Sequence, residues 1–237
     1  MFIDERVGAI LCTRGGYGAG RLLDLLDYDL IRAHPKILVG FSDITALSMA
    51  MLSKSGLLSF AGPMVAAEFG DEPAEITENA FWKMITDRGA RHILTLGEEE
   101  CMQDGIAEGV LIGGNLAVYA SLVGSAFLPD PSGKILFLED VGENVYRIDR
   151  MLLQLKHAGI LNAVAGIVLG SFSSIPDDKP NRDLDTVLRE YFLPLRVPVM
   201  TGFPFGHIPA KVTLPFGARV KLDTKKRQLT VLQAVVS

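Results

Sequence analysis

The stretch KILVGFSDITALSMAM, residues 36–51, joins an apolar run directly to a helical pattern. Ile37–Phe41 contains the β-branched and aliphatic residues typical of a buried parallel strand. Thr45–Leu52 then repeats apolar side chains at helical spacing, and Gly40 permits close approach of the backbone. The stretch therefore predicts a strand that turns at Ser42 into a helix, which is the repeating unit of an α/β fold.

Two roles are open for Ser42. A serine between a strand and a helix resembles a nucleophile elbow, where the hydroxyl is exposed and the next backbone N–H groups face developing negative charge. The G-x-S-x-G pattern is incomplete, because Ile44 stands where the second glycine belongs. In the alternative, Ser42 only caps the helix, and Asp43 lies favourably near the positive end of the helix dipole.

Similar units surround this stretch. Val7–Cys12 is a predicted strand, residues 13–20 (TRGGYGAG) form a glycine-rich loop, and Leu57–Ala61 is a third predicted strand. Strands that alternate with helices predict a parallel sheet. Residues 69–75 (FGDEPAE) mark the sharpest change of composition, and an amphipathic helix is predicted at Ile76–Thr86. We interpret this change as the start of a connection between two domains.

The predicted fold class is α/β with two domains. Residues 1–70 form an N-terminal domain with a parallel β-α sheet, residues 71–90 a linker, and residues 91–237 a C-terminal domain with a mixed α/β sheet. The strands predicted in the C-terminal domain are Ile93–Leu96, Ile106–Ile112, Lys134–Leu138, Ala163–Leu169, Val197–Thr201, Val212–Leu214, Arg219–Leu222 and Gln228–Leu232. We expect the last four to form an antiparallel or mixed end of that sheet.

The composition argues against several classes of protein. The chain has 237 residues, of which 49% are hydrophobic, and its net charge of −5 provides no basic surface for nucleic acid. No apolar run approaches the ~18 residues that span a bilayer, and Asp4 and Glu5 stand where a signal peptide would be basic. Cys12 and Cys101 form no metal-binding pattern. We expect a soluble cytoplasmic protein without a nucleic-acid partner or membrane contact.

Two further residues could act with Ser42. Glu139 follows the apolar strand KILFL, at the strand end where open α/β sheets hold their sites, although a surface carboxylate or helix cap would also fit. His207 lies in a loop rich in glycine and proline and could transfer protons, although a plain surface histidine would also fit. Together the three residues supply a nucleophile, a base and an orienting carboxylate.

Six stretches of the chain resemble the LD-carboxypeptidase family of serine peptidases, which also contains the microcin C immunity peptidases. They are AILCTRGGYGAGRLLDLLDYDLIRAHPK, GFSDITAL, GPM, GGNL, FLEDVGENVYRIDRMLLQL and GHIPAKVTLPFG. They extend from near residue 7 to near residue 222. The resemblance implies a two-domain fold with the nucleophile Ser42 in the first domain, and Glu139 and the base His207 in the second.

The same resemblance suggests how the site binds its substrate. The backbone N–H of Asp43 and the loop near Gly15 and Gly16 would form the oxyanion hole. Arg14 or Asn115 could contact the terminal carboxylate of the substrate, which is an expectation from their polarity alone.

The activity implied is release of the terminal D-alanine from cytoplasmic murein tetrapeptide during peptidoglycan recycling, without a metal or cofactor. The family often forms homodimers. One alternative is a microcin-immunity-type peptidase that cleaves peptidyl or aminoacyl nucleotide adducts, and another is a truncated, inactive or binding homologue. Family members usually carry several tens of residues before the strand Val7–Cys12, so we expect the N-terminal segment to be absent here. Ala61 also replaces a histidine found in many relatives.

Overall fold

The computed structural model describes residues 1–70, 72–89, 91–94, 100–176 and 182–236. The strands within these ranges are β1 (Ala9–Leu11), β2 (Ile37–Val39), β3 (Ser59–Ala61), β4 (His92–Leu94), β5 (Glu100–Gln103), β6 (Ile106–Asn115), β7 (Ile135–Val141), β8 (Gly166–Ser173), β9 (Val199–Thr201), β10 (Leu214–Phe216), β11 (Arg219–Asp223) and β12 (Gln228–Val231).

The helices fall between these strands. The α-helices are α1 (Tyr28–Ala33), α2 (Thr45–Ser55), α3 (Glu75–Thr86), α4 (Leu116–Ser121), α5 (Val145–His157), α6 (Ile160–Ala163) and α7 (Leu184–Phe192). Short 3-10 helices cover Ala19–Leu25, Ser42–Ile44 and Leu193–Leu195. No helix in the described ranges is both long and apolar enough to cross a bilayer.

The smaller sheet has the strand order β1-β2-β3-β10. The first three strands are parallel, and β10 pairs antiparallel with β3. We expected the strand near residues 212–214 at the end of the other sheet, and this expectation was wrong. Pro215 cannot donate a backbone hydrogen bond, and β10 lies at the edge of the smaller sheet, where a proline is tolerated.

The larger sheet has the order β4-β12-β11-β6-β7-β8-β9-β5. Strands β6 to β9 pair in parallel, whereas β5 pairs antiparallel with β9, and β11 pairs antiparallel with β6 and β12. This confirms the predicted mixed α/β architecture. The first six residues of β7 are buried, and they end at Glu139 and Asp140. The carboxylates therefore enter the interior at the carboxyl end of the central parallel strands.

Helix α1 and strand β5 are among the elements that were not anticipated from the sequence. Helix α1 begins after Asp27, whose side chain accepts a hydrogen bond from the Leu30 backbone, a capping signal that was visible in the sequence. Within the described ranges, strand β5 pairs with β9 alone and carries a register irregularity. Its four residues, ECMQ, are too few to give a clear strand signal. The predicted end of the strand Ile93–Leu96 falls on residues 95–96, which lie outside the described ranges.

Candidate active site

Ser42 lies at the turn from β2 into α2. It begins a 3-10 turn, Ser42–Ile44, and its φ of +63° lies in the left-handed region, which is uncommon for a residue other than glycine. Phe41 is the N-cap of this turn, and no side chain caps it. The hydroxyl of Ser42 instead lies 3.1 Å from Nε2 of His207. The structure therefore favours an elbow over the alternative in which Ser42 only caps the helix.

Two glycines allow the chain to pack tightly around this turn. A Cβ on Gly40 would lie 3.0 Å from Cys12 Sγ and from two side-chain atoms of Ile44. A Cβ on Gly15 would lie 2.9 Å from Ser42 Cβ and 3.1 Å from its Oγ. The glycine-rich loop therefore rests directly against the serine, and a larger residue at position 15 would displace one of them.

Glu139 and His207 complete a line of hydrogen bonds. The Nδ1 atom of His207 lies 2.9 Å from Oε2 of Glu139, whose side chain has no exposed surface. Since an ionised carboxylate only accepts hydrogen bonds, Nδ1 carries the proton, and Nε2 is then free to accept the proton of Ser42. Among the residues that the structure describes, Oε1 of Glu139 has no hydrogen-bond partner. His207 is therefore the main hydrogen-bonding contact of this carboxylate.

A β-bulge lets the segment that carries His207 cross the end of β8. The register between β7 and β8 shifts between Leu138 and Asp140, which leaves one extra residue on β8. There the Ser171 backbone donates to Phe205 O at 2.8 Å. Gly206 has a φ of +134°, and a Cβ on it would lie 3.1 Å from Oε2 of Glu139. Glycine at position 206 thus allows the chain to pass over the buried carboxylate.

Asp43 connects the elbow to the glycine-rich loop. Its Oδ2 accepts a 2.8 Å hydrogen bond from the Ala19 backbone, at the start of the 3-10 helix that follows the loop. The backbone N of Asp43 lies 3.6 Å from the position that a Cβ on Gly15 would take. The oxyanion roles of Asp43, Gly15 and Gly16 stay predictions that fit this proximity.

Arg14 and Asn115 lie in very different surroundings. Arg14 is exposed on the glycine-rich loop. Asn115 is buried, its Oδ1 caps helix α4 by accepting from Val118 N, and its Nδ2 donates to Oδ1 of Asp140. Its backbone N also donates to Thr45 Oγ1 of α2. These contacts show a structural role for Asn115, and the substrate contact that we expected stays a prediction.

Asp140 supports the same corner of the site. It accepts hydrogen bonds from Asn115 Nδ2, Ala117 N and Val141 N. Burial raises the pKa of this carboxyl, and the neighbouring Glu139 adds to the increase, whereas the hydrogen bonds oppose it. These contacts give Asp140 a structural role next to Glu139.

A cavity of about 410 Å³ adjoins the imidazole of His207. It is lined by residues from two distant parts of the sequence, among them Phe41, Glu68, Glu72 and Lys211. Sequence reasoning missed Phe41, Glu68 and Lys211, because nothing in their local sequence indicates that they meet. In the described part of the chain, no group of three or more His, Cys, Asp or Glu side chains is placed to hold a metal ion.

Two models of known protein families match the chain. The LD-carboxypeptidase N-terminal domain model matches residues 1–62, and the LD-carboxypeptidase C-terminal domain model matches residues 108–222. The chain therefore belongs to the LD-carboxypeptidase family of serine peptidases. The probable murein peptide carboxypeptidase of Bacillus subtilis is 38% identical over 240 residues, which cover 100% of this chain and 75% of that protein.

Solved structures support the same family. The structure of the muramoyltetrapeptide carboxypeptidase of Oxalobacter formigenes is 38% identical in sequence and has a TM-score of 0.87. The match covers 97% of this chain and 79% of that protein's chain. Microcin C7 self-immunity protein MccF of Escherichia coli is 29% identical over 259 residues, 98% of this chain and 75% of that protein. The structure of MccF in complex with aspartyl sulfamoyl adenosine has a TM-score of 0.91. The match covers 99% of this chain and 78% of the MccF chain.

Proposed function

We propose that the chain is a serine LD-carboxypeptidase that releases the terminal D-alanine from murein tetrapeptide by cleaving an L-to-D peptide bond. The observation that carries the proposal is the hydrogen-bonded line from Ser42 Oγ to His207 Nε2, at 3.1 Å, and from His207 Nδ1 to Glu139 Oε2, at 2.9 Å. A nucleophile, its base and an orienting group within hydrogen-bond reach are the parts that acyl transfer needs.

In the first half of the reaction, Ser42 Oγ attacks the carbonyl carbon of the scissile bond while His207 Nε2 takes the hydroxyl proton. Glu139 holds the ring through Nδ1 and stabilises the imidazolium. The backbone N–H groups of Asp43 and Gly16 hold the oxyanion. The imidazolium then protonates the leaving nitrogen, D-alanine departs, and the remaining peptide stays as an ester on Ser42.

Water completes the cycle. His207 takes a proton from a water molecule, which attacks the ester carbonyl, and then returns that proton to Ser42 as the serine leaves. The shortened murein peptide is released, and Ser42 and His207 return to their starting protonation states. Every step uses this chain's own residues.

The substrate assignment rests on the relatives. Proteins named murein peptide and muramoyltetrapeptide carboxypeptidase align with nearly the whole chain, which supports a murein peptide substrate. A cytoplasmic role in peptidoglycan recycling and a homodimeric state belong to the same proposal. Light scattering on the purified protein tests the homodimer, and fractionation of the source cells tests the location.

Incubation with murein tetrapeptide tests the activity. The parent protein should release free D-alanine, and Ser42→Ala should reduce kcat by about 10³-fold or more, because the nucleophile is lost. Ser53→Ala, the same change on an exposed position of α2, should leave turnover unchanged. Equal rates of release by the parent and Ser42→Ala would show that another residue attacks.

A second candidate is a peptidase of the microcin-immunity type that cleaves aminoacyl nucleotide adducts. The TM-score of 0.91 to MccF with aspartyl sulfamoyl adenosine favours it. Aromatic residues around residues 173–180 would favour stacking on a base, but the sequence of that stretch has only Phe172 beside it, which ranks this candidate lower. Residues 177–180 lie outside the described ranges. Competition between aspartyl sulfamoyl adenosine and murein tetrapeptide discriminates between the two candidate functions. The preferred substrate should inhibit turnover of the other substrate at a lower concentration than the reverse.

A further inference from the structure

One side chain next to the nucleophile is contacted three times by the segment that carries the histidine. The ring of Phe41 lies 5.0 Å from the ring of His207 and 5.7 Å from the ring of Phe205, centroid to centroid. The ammonium of Lys211 lies 4.2 Å from the centroid of the same ring, within the range of a cation–π contact. Phe41 directly precedes Ser42, so the segment that carries His207 packs against the residue next to the nucleophile.

Lys211 also forms a buried ion pair with the first half of the chain. Its Nζ lies 2.8 Å from Oε1 of Glu68, and the two side chains are only 2% and 14% exposed. The other oxygen of Glu68 accepts a hydrogen bond from the Met64 backbone at 2.8 Å. The ion pair therefore joins the segment after β3 to the segment before β10.

Helix α3 secures the same segment from another side. The Lys211 backbone N donates to Thr77 Oγ1 at 3.0 Å, and that hydroxyl donates to Pro209 O at 2.9 Å. These two bonds fix the backbone on either side of residue 210, but neither reaches the parts of the chain that hold Ser42. Besides the ring contacts of Phe205 and His207 with Phe41, Lys211 therefore joins the histidine segment to Phe41 and Glu68 on the serine side of the site.

We propose that Lys211 and Glu68 are positioning residues, which hold the His207 segment against Phe41 so that the imidazole stays within reach of the Ser42 hydroxyl. The inference rests on the proposed function, because it gives His207 the role of base. Neither residue touches the reacting atoms. A buried ion pair is strongly sensitive to the loss of one partner, since the remaining charge is left without compensation.

Lys211 and Glu68 carry opposite charges, so removing one or the other should affect the protonation of His207 in opposite directions. A residue that only stabilised the fold would not have this effect. His207 shares its cavity with Glu68, Glu72 and Lys211, and Glu139 contacts its Nδ1. The carboxylate of Asp43 is bound to the Ala19 backbone instead. Loss of Lys211 leaves an unpaired carboxylate in the cavity, which favours the imidazolium, whereas loss of Glu68 leaves an unpaired ammonium, which disfavours it.

Four variants test the proposal in the full chain: Lys211→Met, Glu68→Gln, the double variant, and Lys211→Arg, which keeps the charge. The matched controls are Lys221→Met and Glu108→Gln, because these two residues form an exposed pair at 3.9 Å on the larger sheet. D-alanine release gives kcat and KM, a fluorophosphonate gives the reaction rate of Ser42, and NMR follows the ring signals of His207 through a pH titration.

We expect kcat and the fluorophosphonate rate to fall about tenfold in Lys211→Met and in the double variant, with KM within about twofold, because a displaced base slows chemistry more than binding. Lys211→Arg should recover most of the rate. The His207 midpoint should rise by about half a pH unit in Lys211→Met, fall by a similar amount in Glu68→Gln, and return near the parent value in the double variant.

Other outcomes overturn the proposal. Midpoints that move in the same direction in both single variants, or do not move, would contradict the charge argument. A double variant with the parent's rate would contradict the positioning role. If the single variants fail to fold, the rate of the double variant is the test of that role. If the parent protein releases no D-alanine, the proposed function is contradicted but the positioning role is not. The titration midpoints of His207 still test the pair of Lys211 and Glu68, because NMR measures them without turnover.

Discussion

The carboxylate of Glu139 has no exposed surface, and its Oε2 lies 2.9 Å from Nδ1 of His207, 68 positions further along the chain. Burial excludes water from this contact, so the hydrogen bond is stronger than it would be at the surface. The same ring reaches Ser42, 165 positions earlier, through Nε2. The imidazole is therefore held between a buried acceptor and the serine hydroxyl, with one nitrogen assigned to each.

Glu139→Gln should reduce kcat by about 10³-fold, because an amide can donate to Nδ1 and so favour the tautomer whose Nε2 is protonated. That tautomer cannot accept the proton of Ser42. Steady-state release of D-alanine measures the loss, and circular dichroism checks the fold. Glu108→Gln is the control, because Glu108 lies at the surface of the larger sheet. A variant with near-parental kcat would show that Glu139 does not set the tautomer.

Gly15→Ala should reduce kcat by about 10²-fold, because its new Cβ would lie 2.9 Å from Ser42 Cβ and displace the serine. Gly20→Ala makes the same change in the adjoining segment, where a Cβ meets nothing within 4 Å, and it should leave kcat unchanged. Fluorophosphonate labelling of Ser42 measures both. Equal labelling of the two variants would mean that the glycine-rich loop shifts to accommodate the new Cβ while Ser42 keeps its position.

Asp43→Ala should lower the free energy of unfolding by about 1 kcal/mol, because the Ala19 N–H loses its acceptor. It should also lower kcat/KM about tenfold, since the glycine-rich loop is no longer held to the elbow. Asp43→Asn keeps an acceptor oxygen and should recover most of both losses. Urea denaturation and D-alanine release measure the two effects, and equal defects in both variants would argue against this hydrogen bond.

The stability of the protein should depend on pH through Asp140. Burial raises the pKa of its carboxyl above 3.8, so the folded state binds the proton more tightly than the unfolded chain does. The contribution of Asp140 to stability is therefore fully present below the unfolded pKa and is lost as pH rises through the raised folded pKa. Each unit of increase corresponds to about 1.4 kcal/mol.

Urea denaturation of the parent and of Asp140→Asn, at a series of pH values upward from about 3.8, measures this contribution. The free energy of unfolding of the parent should decline relative to that of the variant as pH rises, and the difference should then become constant. A difference that grows in favour of the parent would mean that the three donors lower the pKa of Asp140 more than burial raises it.

Local sequence was enough for most of the architecture. The apolar run before Ser42 and the periodic run after it predict β2 and α2, because strand and helix patterns depend on spacing along a few residues. The amphipathic pattern at Ile76–Thr86 predicts α3 to within one residue of the bounds that the structure gives. Strand β10 was assigned to the wrong sheet, since three residues carry no information about which edge they join.

The sequence by itself determined the residue types of the site: a serine after a strand, a glutamate at the end of another strand, and a histidine in a glycine-rich segment. Only the tertiary structure decided that Ser42, Glu139 and His207 meet, because their convergence depends on a bulge in β8 and on the close passage of Gly206. It also placed Lys211 beside Phe41, since long-range contacts between buried side chains leave no trace in local periodicity.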